Sequence, residues 1–224
     1  CIRDSFYGVD GISLTSKNYS NLLNGDNLSY ILNMATIEND GTLKPNGINI
    51  ELVKEENFES NPIQVEKIIS LNSNKIGYLM YNQFVGNKTS LINDSFGKFK
   101  NEGITDLIID LRYNGGGSVA TCTAIASMIT GQFKGKVFSK QNWNSKLTEY
   151  WNDKNPESLN DLFDDKFDDS KQINSLNLEK VYIITTSESA SSSELLINGL
   201  KPYINVIHIG ELTSGKNVGS ITVY

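Results

Sequence analysis

From about residue 75 onward, short apolar runs of strand length alternate with longer stretches that have helical periodicity. The predicted strands are 76–81, 106–112, 181–184 and 206–209, and the predicted helices are 89–101, 118–130 and 192–200. The run 106–112 is almost continuously apolar, which is typical of a strand covered on both faces in a parallel sheet. Strands and helices in alternation indicate an α/β layer architecture.

The first part of the chain has a different pattern, in which short strands and glycine-containing turns are predicted. The segment 6–14 (FYGVDGISL) resembles the strand-turn-strand of a PDZ domain, and it covers only part of such a domain. We therefore expect two units, a partial PDZ-like or β-rich segment over 1–70 and a second domain over 71–224.

The composition is that of a globular protein with a sizeable core, because 38% of the residues are hydrophobic and 21% are charged. Acidic residues outnumber basic ones by 26 to 20, and the net charge of −6 argues against nucleic acids and anionic membrane surfaces as partners. No run approaches the ~18 consecutive apolar residues of a membrane span. The N-terminus lacks the segments of a signal peptide, so we expect a mature or excised chain.

Two features of the pattern carry no predicted chemistry. The stretch 142–171 is rich in Asn, Asp and Ser, and its acidic cluster at 161–169 is interpreted as a solvated connection. Cys122 lies in an Ala/Ile/Met-rich helical stretch and is predicted to be a buried structural thiol. Cys1 and Cys122 fit no metal-ligand spacing. Cys1 has two interpretations, a lipid-bearing first residue of an exported protein or merely the place where the sequence begins.

The single histidine limits the possible hydrolytic chemistry. A Ser-His-Asp triad would have to use His208, which lies inside an apolar strand and is interpreted as a packed or hydrogen-bonded strand residue. A hydroxyl nucleophile then needs another base, for which a desolvated lysine is the best alternative. No Gly-x-Ser-x-Gly segment is present, which argues against a lipase or esterase.

Three loops could carry chemistry, and each has a structural alternative. Ser191-x-x-Glu194 is either a helix capping box or a nucleophile beside the positive end of a helix. The glycines of 114–117 form either a tight turn or an anion nest, without the endings typical of phosphate or dinucleotide loops. Lys216 taken alone is a solvated lysine in the turn 212–219.

Together, in order and spacing, these loops resemble the C-terminal processing (tail-specific) peptidases. The matching stretches are 110–117 (DLRYNGGG), 189–194 (SASSSE), Gly210-Glu211 and Gly215-Lys216. The resemblance implies that the middle serine, Ser191, is the nucleophile and that Lys216, at the interval the family requires, is the general base. It also implies the β/α superhelical fold that the family shares with Clp proteases and crotonases.

The reaction implied by the resemblance is acyl transfer without a metal or cofactor. Neutral Lys216 would take the Ser191 proton, the alkoxide would attack a peptide carbonyl, and water would hydrolyse the acyl-enzyme. The resemblance implies that the oxyanion is held by the Ser192 amide and an amide of Gly116 or Gly117. Such a site would make the protein a serine endopeptidase whose partner is a polypeptide, bound through its C-terminal tail.

The sequence also departs from the family pattern. Family members often have a glutamine four residues after the lysine, where this chain has Ser220, a shorter candidate for orienting Lys216. They also continue with further strands, so we expect a domain truncated at its C-terminus. The resemblance implies export to the bacterial periplasm or cell envelope. The alternative function is a non-catalytic ligand- or peptide-binding protein on the same scaffold, against which the presence of both Ser191 and Lys216 argues.

Overall fold

A computed structural model of the protein describes residues 5–56, 58–168 and 170–220. The chain folds as two compact units, Cys1–Ser60 and Asn61–Tyr224.

The first unit is an antiparallel sheet with one short helix. Its elements are β1 (Ser5–Val9), β2 (Ile12–Ser13), α1 (Tyr19–Asn24), β3 (Ser29–Ile37) and β4 (Leu43–Val53). The strand order is β2-β1-β3-β4, and β4 is an edge strand of which every residue is exposed. A turn at Asp10-Gly11, with φ of 51° and 78°, joins β1 to β2 and gives the strand-turn-strand expected there. The PDZ-like character of this unit stays a prediction.

The second unit is a mixed α/β domain. Its strands are β5 (Ile63–Leu71), β6 (Asn74–Tyr81), β7 (Asp106–Asp110), β8 (Val137–Lys140), β9 (Asn160–Leu162), β10 (Lys166–Phe167), β11 (Lys171–Gln172), β12 (Lys180–Thr185) and β13 (Asn205–Gly210). Its helices are α2 (Thr89–Glu102), α3 (Val119–Ile129), α4 (Ser145–Lys154) and α5 (Ser192–Leu200). The helices and strands predicted from residue 75 onward are confirmed to within two residues at each end.

A five-stranded sheet of order β13-β12-β7-β6-β5 forms the centre of this domain. The strands β6, β7, β12 and β13 run parallel, and β5 pairs antiparallel with β6. Because of this pairing β5 belongs to the second unit, although it precedes the boundary that we expected at residue 70.

Helices α2, α3 and α5 contribute to the core over one face of the sheet, where alternate strand residues such as Leu107, Ile109 and Ile183 are buried. The expectation that 106–112 is covered on both faces is only partly met, since Ile108 points away from this core and is half-buried. The strand also ends at Asp110, where the chain turns.

The stretch 142–171 differs from the solvated connection that we expected. It contains α4, and Leu159 and Phe163 are buried, with the Phe163 ring edge-on to Phe138 at a centroid distance of 5.4 Å. The physical reason is that apolar side chains lie between the acidic residues. The Phe163 side chain is buried in the core, whereas the neighbouring Asp164 is exposed and Asp161 accepts a hydrogen bond from Ser139.

Candidate active site

Three loops leave the carboxyl ends of neighbouring parallel strands and meet at one edge of the sheet. We call them the glycine loop (111–118, after β7), the serine turn (186–191, after β12) and the lysine loop (211–220, after β13). Ligands of open α/β sheets bind at this edge, because adjacent loops diverge there and leave a crevice.

Serine hydroxyls of the serine turn and of the start of α5 donate hydrogen bonds to backbone carbonyls of the glycine loop. The bonds run from Ser189 Oγ to the Leu111 carbonyl at 2.7 Å, from Ser192 Oγ to the Gly117 carbonyl at 2.8 Å, and from Ser193 Oγ to the Asn114 carbonyl at 2.8 Å. Within the described residues the Ser191 hydroxyl donates no hydrogen bond. Of these four serines, therefore, only Ser191 has a proton that is not already engaged by the protein.

Ser191 also has an unusual backbone conformation. As the N-cap of α5 it has φ 57° and ψ −114°, which a residue with a Cβ rarely adopts. The Ser191 amide donates to Glu194 Oε2 at 2.6 Å, so the expected capping box is present on the glutamate side. Backbone strain of this kind costs ~1–3 kcal/mol and is concentrated at functional sites.

The glycine loop approaches Ser191 closely because its glycines have no Cβ. Gly116 has φ 106°, and a Cβ there would lie 2.7 Å from the Ser191 Cβ. Gly117 has φ 138°, and a Cβ there would lie 2.2 Å from the Phe84 carbonyl oxygen. Both positions thus require glycine, for conformation as well as for space.

The three backbone amides considered as oxyanion donors, those of Gly116, Gly117 and Ser192, differ in whether they already donate a hydrogen bond within the protein. The Gly116 amide donates to Asn114 Oδ1 at 2.9 Å, so it is already engaged. The amides of Gly117 and Ser192 make no hydrogen bond in the part of the chain that the structure describes. Of the two glycines considered as oxyanion donors, the geometry favours Gly117.

An ion pair between Arg112 and the buried carboxylate of Asp110 fixes the start of the glycine loop. Asp110 is fully buried, and its Oδ2 lies 2.7 Å from Arg112 Nη2 and 2.6 Å from the Tyr78 hydroxyl. Burial by itself would raise the pKa of Asp110, but the hydrogen bonds from Arg112 and Tyr78 outweigh it and hold the pKa below its usual value. The sequence motif contains Asp110 and Arg112 but does not reveal this role.

Glu194 joins the serine turn to the lysine loop. Its Oε2 accepts from the amides of Ser191 at 2.6 Å and Lys216 at 3.0 Å, and its Oε1 accepts from Thr213 Oγ1 at 2.7 Å and the Gly215 amide at 2.6 Å. Burial would raise the pKa of Glu194, yet these four donors lower it overall. The carboxylate is therefore ionised at neutral pH.

Ser191 and Lys216 line the same cleft, which has a volume of about 500 Å³. Apolar side chains of Val119, Leu195 and Val218 form part of its wall. Lys216 itself is exposed.

Ser220, the candidate for orienting Lys216, is exposed and forms no hydrogen bond within the described residues. Its assignment stays a prediction.

His208 lies in β13 and is hydrogen-bonded, as predicted, although its side chain is exposed rather than packed. Its Nε2 is 2.5 Å from Thr185 Oγ1, and that hydroxyl donates to the Glu211 carbonyl at 2.9 Å. Nε2 is thus engaged in a hydrogen bond with Thr185.

Cys122 is fully buried in α3, and its thiol contacts the Ser192 carbonyl at 3.2 Å. Its predicted burial is thereby confirmed, and this burial raises the pKa of the thiol. Among the described residues, no group of three or more His, Cys, Asp and Glu side chains is arranged to hold a metal ion.

The sequence was compared with models of known protein families. The model of peptidase family S41 matches residues 75–223, which is well over half of the chain. The chain belongs to peptidase family S41. The predicted relationship to the C-terminal processing peptidases is thereby confirmed.

Solved structures agree with this family. A Bacteroides fragilis NCTC 9343 protein assigned to the S41 proteases is 26% identical, with a TM-score of 0.66 over 95% of this chain and 55% of its own. The photosystem II D1 C-terminal processing protease is 18% identical, with a TM-score of 0.53 over 95% of this chain and 52% of its own. The S41 chain thus has the predicted Clp/crotonase-like α/β fold and spans about half the length of these relatives. A comparison with curated proteins gives no significant match.

Proposed function

We propose that this S41 chain is the catalytic part of a serine endopeptidase in which Ser191 is the nucleophile and Lys216 the general base. The observation that carries the proposal is that, of Ser189, Ser191, Ser192 and Ser193, only Ser191 has a hydroxyl that donates no hydrogen bond within the described residues. Ser191 also lies on a strained N-cap, in a cleft that Lys216 also lines. Family membership supports peptide-bond hydrolysis as the reaction.

In the proposed reaction, neutral Lys216 accepts the Ser191 proton while Oγ attacks the carbonyl carbon of a peptide bond. The oxyanion that forms is held by the free amides of Gly117 and Ser192, each such donor lowering the barrier by ~3 kcal/mol. Lys216 then protonates the leaving amine, and water hydrolyses the ester on Ser191.

A lysine accepts a proton only when it is neutral, and shielding from water favours the neutral form. Lys216 is exposed in the unliganded cleft. We therefore assign the shielding to the substrate, whose chain would cover the cleft between the apolar side chains of Val119, Leu195 and Val218.

A fluorophosphonate probe distinguishes the peptidase from the alternative, a non-catalytic binding protein on the same scaffold. We expect one covalent adduct, on Ser191, because a phosphonylating reagent needs an activated hydroxyl. Peptide mapping by mass spectrometry would locate it. The adduct should be lost in both Ser191→Ala and Lys216→Ala, and no labelling of the folded protein would favour the binding protein.

The first unit is proposed to bind the C-terminal tail of the polypeptide. Strand β4 has an open edge and exposed apolar residues at Ile48, Ile50 and Leu52, which suits binding by addition of a strand. Removing 1–60 should weaken cleavage of a protein with an apolar C-terminal tail more than cleavage of a short generic peptide. Steady-state kcat/KM on both substrates measures this, and probe labelling of Ser191 controls for folding. Equal losses on both would contradict tail binding.

The family resemblance also supports a proposal about location, namely export to the bacterial periplasm or cell envelope. Cys1, the candidate for lipid attachment, lies outside the described residues. Within 5–56, 58–168 and 170–220, no helix combines the length and apolarity that crossing a bilayer requires.

A further inference from the structure

We propose that Glu194 is a positioning residue that sets the separation of the nucleophile and the base. This inference rests on the proposed function. One carboxylate oxygen, Oε2, accepts hydrogen bonds from the backbone amides of both Ser191 and Lys216. Two amide nitrogens that share one acceptor atom are held within about 6 Å of each other. The backbones of the two candidate catalytic residues are thus fixed relative to one another by a third side chain.

Helix capping alone does not account for the contacts of Glu194. A cap requires only the bond from the Ser191 amide, at the start of α5. The other three donors are Thr213 Oγ1, the Gly215 amide and the Lys216 amide, all in the lysine loop. Most of the carboxylate's bonding capacity is therefore directed to the loop that carries the lysine.

These bonds are strong because the carboxylate is shielded. Glu194 is only 8% exposed, and hydrogen bonds to an ionised acceptor in such a setting are about twice as strong as neutral ones. The lysine loop has further backbone ties at Glu211 and Ser214, to the Thr185 and Ser189 carbonyls. Glu194 adds bonds on both sides of Ser214, to Thr213, Gly215 and Lys216, and beyond Ser214 it accepts the only hydrogen bonds that the loop makes within the described residues.

The test compares four variants of the protein by kcat, KM, thermal stability and amide hydrogen exchange. Glu194→Gln keeps the shape of the side chain but replaces one carboxylate oxygen by an NH2 group. This group is a donor and would face a backbone N–H group, with which it cannot form a hydrogen bond. Thr213→Val removes one loop bond and leaves the cap of α5 intact, while Thr213→Ser keeps the hydroxyl. Glu188→Gln is the matched control, because Glu188 lies in the adjacent serine turn, is exposed and makes no side-chain bond in the described residues.

We expect kcat to fall ~100-fold in Glu194→Gln, since displacement of a catalytic group by about 1 Å costs that much. Thr213→Val should lose ~10-fold and Thr213→Ser should recover most of it, on the same argument. KM should change much less than kcat, because the lost bonds lie within the protein. Amide exchange at Gly215 and Lys216 should become faster in Glu194→Gln and Thr213→Val, and Glu188→Gln should match the parent protein throughout.

Three results would overturn the inference. One is kcat within twofold of the parent in Glu194→Gln. Another is a loss in Glu194→Gln with none in Thr213→Val, because removal of a bond from Glu194 to the lysine loop would then have no effect on turnover. The third is unchanged amide exchange at Gly215 and Lys216. Exchange is measured without substrate, so a failure of the proposed function, seen as full activity in Ser191→Ala, is distinguishable from a failure of Glu194 to hold the loop.

Discussion

Replacement of Ser191 by alanine should lower hydrolysis of an unfolded polypeptide by ~10⁴-fold or more, as removal of a covalent nucleophile does. The free energy of unfolding should change little, because the Ser191 hydroxyl donates no hydrogen bond within the described residues. Turnover of a labelled unfolded protein, and unfolding by denaturant, measure the two quantities. A loss of activity with intact stability is the combination that a nucleophile predicts.

The neighbouring serines provide the matched controls. Ser189→Ala and Ser193→Ala each remove one of the two hydrogen bonds that the Leu111 and Asn114 carbonyls accept, which should cost ~0.5–1.5 kcal/mol of stability. The molecules that remain folded should still turn over substrate. If either of these variants is inactive when folded while Ser191→Ala stays active, the nucleophile has been assigned to the wrong hydroxyl.

Lys216→Arg should be nearly as damaging as Lys216→Ala, with kcat reduced by at least ~100-fold, the contribution expected of a general base. Guanidinium keeps the charge and much of the reach of lysine, but it stays protonated and cannot accept the Ser191 proton. In the parent protein, kcat/KM should rise with pH, because only the deprotonated amine acts as a base. Rates measured over a pH series, with folding confirmed separately, provide the check.

The control for this experiment is His208→Gln. In the structure the His208 Nε2 is hydrogen-bonded to Thr185 Oγ1, and a glutamine amide can donate or accept in its place, so we expect turnover close to that of the parent. If the His208→Gln variant is inactive and the Lys216→Arg variant retains turnover, the reaction requires a histidine-based mechanism.

The fold of the second unit could be predicted from local patterns because, in each of its central elements, the residue pattern and the residues at its ends favour the same helix or strand. Helix α5, for example, starts after a serine and ends before Pro202, and its limits agree with the expectation. The stretch 142–171 was mispredicted because the average charge of a segment does not show which side chains face the core. Phe163 lies between acidic residues, and only the packing of β8 and β9 shows that its ring is buried.

The candidate site was predicted only as far as short motifs allow. The pair Ser191 and Glu194 is three residues apart, so a capping box can be inferred from the sequence. The contacts of Glu194 with Thr213 and Gly215 depend on the parallel pairing of β12 and β13, which brings the two loops together. The occupation of the Gly116 amide likewise depends on the Asn114 rotamer, and no periodicity encodes it.

The bonds between the serine turn, the start of α5 and the glycine loop have a consequence for biosynthesis. They join residues 75, 78 and 79 positions apart in the chain. Contacts of such separation form late in folding, because a long loop must be closed first. A nascent chain can therefore contain Ser191 and Lys216 without the cleft that would make them reactive. The proposed peptidase would acquire its activity only on completion of the sheet, which limits premature proteolysis during its own synthesis.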